Sequence, residues 1–494
     1  MKTRSMKRRA EAPTWASLPL EIRHIILDEI AHRKHPGWGR LASVCREWQD
    51  FIEKVTFSKI KLKLSCLDES KKIIVGQKRM LVHNICLNIE LPEYETISST
   101  TYVLRSEGGL TNISEGIRKL WCILSDWEPA VNLTLELNVY SPSDCQHWFK
   151  NIYLFSDDID DVEDIVPDAW KTGKRPHDPK HGWVHGRQVK DPPTTAKIRL
   201  FRHLSLSFAK SLPQVPAVTS FVMRRQLRRY VSSELLGKLL NTLDRLEHIS
   251  FEPWTTVVLW DGSHRASGLA SMFQKCIPRT LNRLIIFEDS YEFYDPFAKS
   301  LPSSFVLSWV PGLDTADDYG KLGEALASKS RDLQHLAISF MIDAERIFRF
   351  CQPTWTWSHL ESLALTSQLL QNHSGKYQEI WALLCRARAV VQKMSKLHTF
   401  VLWNGGKGHA CAFICRLDKD SASVTWRGTW RLELSPAVLK SWQRIASELR
   451  APRLQVNYEQ VAGVIKTHGD AIYRLKLPCQ VVEPASLADP ERRV

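Results

Sequence analysis

The sequence has no apolar run of the roughly 18 residues that a membrane-spanning helix needs, so no membrane segment is expected. The first twelve residues are basic and no apolar signal-peptide core follows them, so secretion is not expected either. Cysteine is scarce, with 11 in 494 residues, and most of these cysteines lie in apolar stretches. This usage excludes a disulfide-stapled fold and predicts reduced thiols in a cytoplasmic or nuclear protein.

The motifs of common catalytic sites are also missing. There is no Gly-x-Ser-x-Gly nucleophile elbow and no His-Glu-x-x-His zinc motif. Residues 405–408, Gly-Gly-Lys-Gly, lack the spacing of a phosphate-binding loop and predict a turn. His409, Cys411 and Cys415 lie close together nearby, but no fourth ligand is visible and they are interpreted as hairpin residues. The chain is therefore expected to be a non-catalytic protein.

Three histidines recur at every fourth residue, at His177, His181 and His185. On a helix this spacing would stack the three imidazoles. Pro179 and Gly182 lie inside the run and argue against a helix, so loop histidines are predicted. Neither a metal nor a cofactor is expected from the sequence.

The composition is that of an ordinary globular protein, with 44% hydrophobic and 24% charged residues. The formal charge is +13, from 67 Lys plus Arg against 54 Asp plus Glu, which permits an acidic partner but does not require one. A helix is predicted over residues 222–245, with Arg224, Arg225, Arg228 and Arg229 on one face. That face is expected to be solvated, the alternative being a contact with an acidic or phosphorylated substrate.

A short helical unit is predicted over residues 13–55. Pro19 suits the first turn of a helix because its missing N–H costs nothing there. Apolar residues follow at helical spacing until Pro36, and a second helical run extends from Leu41 to Val55. The unit is too small to make a good core alone, so a partner or the following domain is expected to cover its apolar faces.

From residue 56 to 404, bursts of Leu, Ile or Phe alternate with polar residues, as in strands with one buried face. Several bursts have the form Leu-x-x-Leu-x-Leu/Ile, which is the strand signature of a leucine-rich repeat. Helical stretches separate them, notably at 222–245, 320–332 and 375–396. This order predicts a parallel α/β solenoid. Its spacing is irregular, and its largest insertion, 156–197, is expected to be a mobile loop.

The end of the chain has a different pattern. Residues 405–434 predict a β-hairpin, and Pro436 to Leu449 predict an amphipathic helix, so 405–482 are assigned to a C-terminal hairpin and helix region. Residues 1–12 and 483–494 are expected to be flexible tails. The predicted fold class is α/β: a small N-terminal helical unit, an irregular leucine-rich-repeat-like solenoid and a C-terminal β-hairpin and helix region.

Three motifs stand in order within the N-terminal unit. They are Leu-Pro-Leu-Glu-Ile at 18–22, Ile-Leu-Asp-Glu-Ile at 26–30 and Leu-Ala-Ser-Val-Cys-Arg-Glu-Trp at 41–48. Together they resemble an F-box, over a small part of the chain. The N-terminal position and the leucine-rich bursts that follow are similar to fungal-type F-box proteins with a leucine-rich-like substrate region.

The resemblance implies a non-catalytic adaptor. F-box proteins bind the Skp linker subunit of SCF-type cullin ubiquitin ligases, and their remaining domain holds the protein substrate. The family's linker-binding positions correspond here to Leu18, Pro19, Ile22, Leu41, Val44, Cys45 and Trp48. Such residues would form an exposed apolar patch unless a partner covers them. The alternative is that they only pack the unit against the rest of the chain.

Polar residues within the strand bursts are the candidate substrate contacts, because the strands of a solenoid line a continuous surface. They are Ser205, Ser207, His248, Gln334, Glu361 and His398. They are small or hydrogen-bonding rather than uniformly basic, which favours a protein substrate over a nucleic acid. Two other functions stay open: an F-box-bearing scaffold or regulator without a role in ubiquitylation, and a basic protein that binds nucleic acid or phosphate.

Overall fold

The computed structural model describes residues 14–93, 107–128, 132–150, 177–254, 265–289 and 316–487, apart from 34, 36, 194, 195, 197–199, 202, 205, 373, 419, 420 and 449–452. In these residues the chain is a mixed α/β structure built on a twelve-stranded sheet whose strands are arranged in chain order. The strands are β1 (Lys59–Lys63), β2 (Asn84–Glu90), β3 (Leu133–Tyr140), β4 (Val218–Met223), β5 (His248–Phe251), β6 (Arg283–Phe287), β7 (His335–Ser339), β8 (Ser362–Thr366), β9 (Thr399–Gly406), β10 (His409–Leu417), β11 (Ala422–Gly428) and β12 (Leu454–Gln460).

Neighbouring strands are parallel from β1 to β9, and β11 is parallel to β12. Only the β9–β10 and β10–β11 pairs are antiparallel. The predicted α/β class with a mostly parallel sheet is therefore confirmed, and so is a hairpin within 405–434. The hairpin continues the main sheet, however, and the boundary expected at residue 404 falls inside β9.

Helices make most of the crossovers that parallel strands require. They are α1 (Leu20–Arg33), α2 (Arg46–Ser58), α3 (Leu67–Ile73), α4 (Glu107–Ser125), α5 (Ser233–Leu240), α6 (Arg265–Lys275), α7 (Ala316–Lys329), α8 (Ala344–Phe350), α9 (Tyr377–Val391), α10 (Pro436–Glu448) and α11 (His468–Leu475). The helices α4–α10 contribute to a continuous apolar core with one face of the sheet. No helix of the described residues is long and apolar enough to cross a membrane.

The prediction of a helix over residues 222–245 is wrong for most of these residues. Strand β4 ends at Met223, Tyr230 and Val231 form a short strand, and α5 begins only at Ser233, where the Ser232 hydroxyl accepts a hydrogen bond from Leu235 N at 3.1 Å. The four arginines between these strands lie in a loop. Arg224, Arg225 and Arg229 have buried acidic partners, which a helical pattern does not reveal.

The other face of the sheet, which we call the second face, is covered by the end of the chain. Along β6–β10 it presents small or apolar side chains: Ile285, Phe287, Ala337, Ala364, Val401, Trp403, Ala410, Ala412 and Ile414. Residues 461–487, which we call the C-terminal segment and which include α11, pack on them through Ala471, Ile472, Leu475, Val481 and Val482. Because side chains alternate along a strand, this second core lies on the side of the sheet opposite helices α4–α10.

The C-terminal segment corrects the expectation of a flexible tail from residue 483. Pro484–Ser486 form a helical turn, and Ser486 is completely buried. Residues 1–12 and 488–494, the other parts of the predicted tails, lie outside the described residues.

The predicted mobile insertion at 156–197 also differs in part. Residues 151–176 lie outside the described residues, but 177–193 contain a short hairpin in which Trp183–Val184 pair with Arg187–Gln188.

A glycine in β9 permits close contact between the sheet and α11. A Cβ added at Gly405 would lie 2.4 Å from the Cβ of Ala471. We expect Gly405→Ala to lower the free energy of unfolding by about 1–3 kcal/mol, because the helix must move away from the strand. Gly375→Ala is the matched control, since nothing lies within 4 Å of its added Cβ. Urea unfolding of both variants is the measurement, and equal stability would contradict this account.

Candidate functional site

Two tryptophans and one glutamate connect the elements of the N-terminal unit. The rings of Trp15 and Trp48 lie 5.0 Å apart. Glu47 accepts a hydrogen bond from Trp15 Nε1 at 3.0 Å and forms an ion pair with Arg23 Nη1 at 2.6 Å. These contacts join the residues before α1, the helix α1 itself and the start of α2.

Helix α2 attaches this unit to the sheet. It leads directly into β1 without a linker, so the boundary expected after residue 55 falls inside the helix. Ile52 is buried, and Glu53 pairs with Lys78 at 3.2 Å. The Lys78 ammonium also lies 5.1 Å from the centre of the Phe57 ring. The unit is therefore anchored through α2, and only Leu27 and Ala31 of α1 are buried.

Four large apolar side chains of this unit face solvent. Leu20, Ile22, Ile25 and Val44 are 50%, 43%, 62% and 58% exposed. We call these four residues the apolar N-terminal surface. Because protein interaction sites expose apolar area, these four residues are the candidates for a partner contact.

The linker-binding residues predicted by resemblance divide into two groups. Pro19, Ile22, Val44 and Cys45 are exposed, whereas Leu18, Leu41 and Trp48 are half-buried. Trp48 also has a structural role, because its ring packs on Trp15. Leu20 and Ile25 are exposed but are not among the linker-binding positions that the resemblance implies. Helical spacing alone does not show which side of α1 another element covers.

A network of buried charges occupies the β3–β6 part of the second face. Arg224 pairs with Glu136 at 2.5 Å, and Arg229 pairs with Asp144 at 2.5 Å. Arg225 pairs with Asp289 at 3.1 Å. These three arginines are buried, so the predicted solvated basic face is wrong. Buried arginines are paired because an unpaired charge in the interior is costly.

The Arg225–Asp289 pair contacts two parts of the C-terminal segment. Asp289 Oδ1 lies 3.0 Å from His468 Nδ1, at the start of α11, and Arg225 Nη2 donates to the carbonyl of Ser486. Burial alone would raise the pKa of Asp289, but the bond with His468 and the charge of Arg225 lower it below its usual value. The carboxylate is therefore ionised and serves both partners.

Glu252, which follows β5, also binds the C-terminal segment. Its carboxylate accepts hydrogen bonds from Glu483 N at 2.6 Å, from Ser486 Oγ at 2.7 Å and from Arg225 N at 3.1 Å. Burial raises the pKa of Glu252, although these donors and the Arg225 charge oppose the rise. The segment is thus bound to the sheet by polar contacts as well as by its apolar side chains.

Half of the predicted substrate-contacting residues lie together at one edge of the sheet. Gln334, Glu361 and His398 immediately precede β7, β8 and β9. Their backbones are hydrogen bonded in turn, with Glu361 N to Gln334 O at 2.7 Å and His398 N to Glu361 O at 2.9 Å. Gln334 and His398 are exposed and Glu361 is half-buried. We call these three residues the amino edge.

The other three predicted contacts are not part of the amino edge. Ser207 is exposed but lies outside the strands, and Ser205 lies outside the described residues. His248 is the first residue of β5, and its Nδ1 lies 3.3 Å from Ser220 Oγ on the neighbouring strand. The strand surface that the sequence predicts to be continuous and open is therefore partly covered.

His248 gives a testable pH dependence. Burial, followed by the charges of Arg283 and His335, lowers the pKa of His248 from 6.5 to about 4. The unfolded chain then binds more protons between these values, so stability is complete above pH 6.5 and decreases as the pH falls towards 4. The loss is at most about 3 kcal/mol, and His248→Gln should remove it. Urea unfolding at several pH values is the measurement, and His359→Gln, at an exposed histidine, is the control.

Two cysteines considered as metal ligands lie in the core instead. Cys411 and Cys415 are completely buried on β10. Burial raises the pKa of Cys411 to about 12 and that of Cys415 further. The Cys411 thiol donates to the carbonyl of Leu370 at 3.2 Å. Both side chains therefore act as small apolar residues.

Residues 276–483 match the model of a family described as "Family of unknown function (DUF6546)". The match covers fewer than half of the residues of the chain, begins shortly before β6 and ends inside the C-terminal segment. The strands β6–β12 and most of the C-terminal segment thus belong to one matched region, and the N-terminal unit lies outside it. No curated protein matches the chain.

Proposed function

We propose that the chain is a substrate-recognition adaptor of an SCF-type cullin ubiquitin ligase, with residues 13–55 acting as an F-box. The observation that carries the proposal is the apolar N-terminal surface. Its four side chains project from the same short unit whose sequence resembles an F-box, and two of them, Ile22 and Val44, are at the family's linker-binding positions. A partner that covers them would remove exposed apolar area from water.

The rest of the chain is proposed to be an irregular leucine-rich-repeat-like solenoid that binds the substrate. The order of the strands along the sheet and the helices between parallel strands support this. Because the C-terminal segment covers the second face along β6–β10, the amino edge is the better candidate for the substrate contact. Its Gln334, Glu361 and His398 offer hydrogen bonds without excess positive charge, which suits a protein.

A role in binding nucleic acid has less support than the sequence alone suggests. The arginines that made up the candidate basic face include three that are buried and paired with carboxylates. They are not available to phosphates at the surface. Binding with steep salt dependence would still favour that role, because each phosphate contact releases counterions.

The test is affinity capture of the full chain and of its Ile22→Asp, Val44→Asp variant, with proteasome activity blocked. We expect the original chain to recover the Skp linker and cullin together with ubiquitylated partners, and the variant to recover the partners alone. Recovery of the linker without any ubiquitylated partner would favour the scaffold or regulator. Failure to recover the linker would contradict the adaptor role.

A further inference from the structure

Three metal-binding side chains meet at a place that neither the sequence motifs nor the proposed function uses. His147, Asp178 and His181 each offer a ligand atom, and these atoms all lie within 4.8 Å of one another. They come from two separate segments, the turn that follows β3 and the hairpin at 177–190. The spacing of every fourth residue in the sequence would group His177, His181 and His185. In the structure His177 lies beside His185, with 4.9 Å between the ring centres, and His181 lies beside His147 instead.

Backbone and side-chain hydrogen bonds fix both segments. Asp178 and Trp183 exchange backbone bonds of 2.7 and 3.0 Å, which close the loop that contains Asp178 and His181. Trp183 Nε1 and Gln188 Nε2 both donate to the carbonyl of Trp148, at 3.2 and 2.9 Å. The hairpin is thereby attached next to His147, so the ligand atoms are positioned before any ion binds.

The ligand atoms are near enough to one another to converge on a single ion. Asp178 Oδ2 lies 2.7 Å from His181 Nδ1, and the rings of His147 and His181 are 4.7 Å apart. Ligand atoms on a tetrahedral zinc, with bonds of about 2.0–2.1 Å, are separated by roughly 3.3 Å. His147 has a left-handed backbone with φ of 55°, a strained conformation often found at ligand sites. Coordination requires the ligand atoms, which lie within 4.8 Å of one another, to approach this separation.

A lysine ammonium already lies against the carboxylate of this group. Lys150 Nζ is 3.1 Å from Asp178 Oδ2, so a metal ion would have to compete with it for this oxygen.

We propose that His147, Asp178 and His181 bind a divalent transition metal of the zinc type. Two imidazoles and one carboxylate suit such an ion and leave one position for water. The ion would displace the Lys150 ammonium from Asp178 and join the 177–190 hairpin to the turn after β3. This site does not depend on the adaptor function.

The probe is cobalt(II), titrated into the metal-free full chain and followed by its visible absorption. We expect a single ion per chain with the spectrum of four-coordinate cobalt, displaced by zinc. His147→Gln should weaken binding at least about tenfold. Lys150→Met should tighten it, because the competing ammonium is gone.

His177→Gln with His185→Gln is the matched control, since these exposed histidines are close by but outside the set. Their replacement should leave cobalt affinity unchanged. His147 is substituted rather than His181 because it is less buried, so its replacement should disturb the fold less. The proposal is overturned by the absence of the spectrum, by unchanged binding in His147→Gln, or by binding lost only in the control pair.

Discussion

Ile22→Asp combined with Val44→Asp is expected to weaken binding of the Skp linker at least about 100-fold, roughly 3 kcal/mol. Both side chains are exposed, at 43% and 58%, so the substitutions should leave the fold intact. In a complex that buries the apolar N-terminal surface, each carboxylate would lose its hydration without gaining a partner. The measurement is equilibrium binding of purified full chain and linker, with urea unfolding to confirm equal stability.

Val464→Asp is the control for this pair. Val464 is 70% exposed and lies in the C-terminal segment, so it adds one carboxylate to an exposed apolar position far along the chain. We expect it to leave linker affinity unchanged. If the double variant bound the linker as tightly as the original chain, the apolar N-terminal surface would not be the binding site. Trp48→Ala is a poorer test, because its ring also packs against Trp15.

Local patterns predict the helical face of the sheet well. The bursts at 333–338, 360–365 and 397–402 become β7, β8 and β9, with Leu336, Leu363 and Phe400 buried under the helices. The helices expected at 320–332, 375–396 and 436–449 are present with slightly different ends. The alternation of apolar and polar residues and the helical spacing of apolar residues are properties of short segments, so they can be recognised in a single sequence.

What the sequence does not predict depends on contacts between distant residues. Arg225 was interpreted as solvated because its partners, Asp289 and Ser486, lie far along the chain. The cover on the second face has a signal in the sequence, because Ala337, Ala364 and Val401 are apolar at positions where an open surface would be polar. In the apolar N-terminal surface, the resemblance predicts Ile22 and Val44 as partner contacts, whereas helical spacing alone does not distinguish a partner contact from packing against the rest of the chain.

Arg225→Met is expected to lower the free energy of unfolding by about 3–5 kcal/mol, because it removes the guanidinium that pairs with the buried Asp289. It also removes the bond from Arg225 to the carbonyl of Ser486. The C-terminal segment should then detach first, since it keeps the bonds of Glu252 and the contact between Asp289 and His468 but loses its bond to Arg225. Urea unfolding measures the stability, and limited proteolysis with mass spectrometry should show new cleavage within residues 461–487.

Arg386→Met is the control for Arg225→Met, because it also removes one ion pair. Arg386 pairs with Glu345 at the surface, where the two side chains are 46% and 34% exposed, so its removal should cost less than about 1 kcal/mol. It should not change cleavage in the C-terminal segment. If Arg225→Met were equally mild, the pair would not fasten the segment. If it were destabilising without new cleavage in 461–487, the pair would stabilise the sheet as a whole, and the C-terminal segment would be held by its apolar side chains and by the bonds of Glu252.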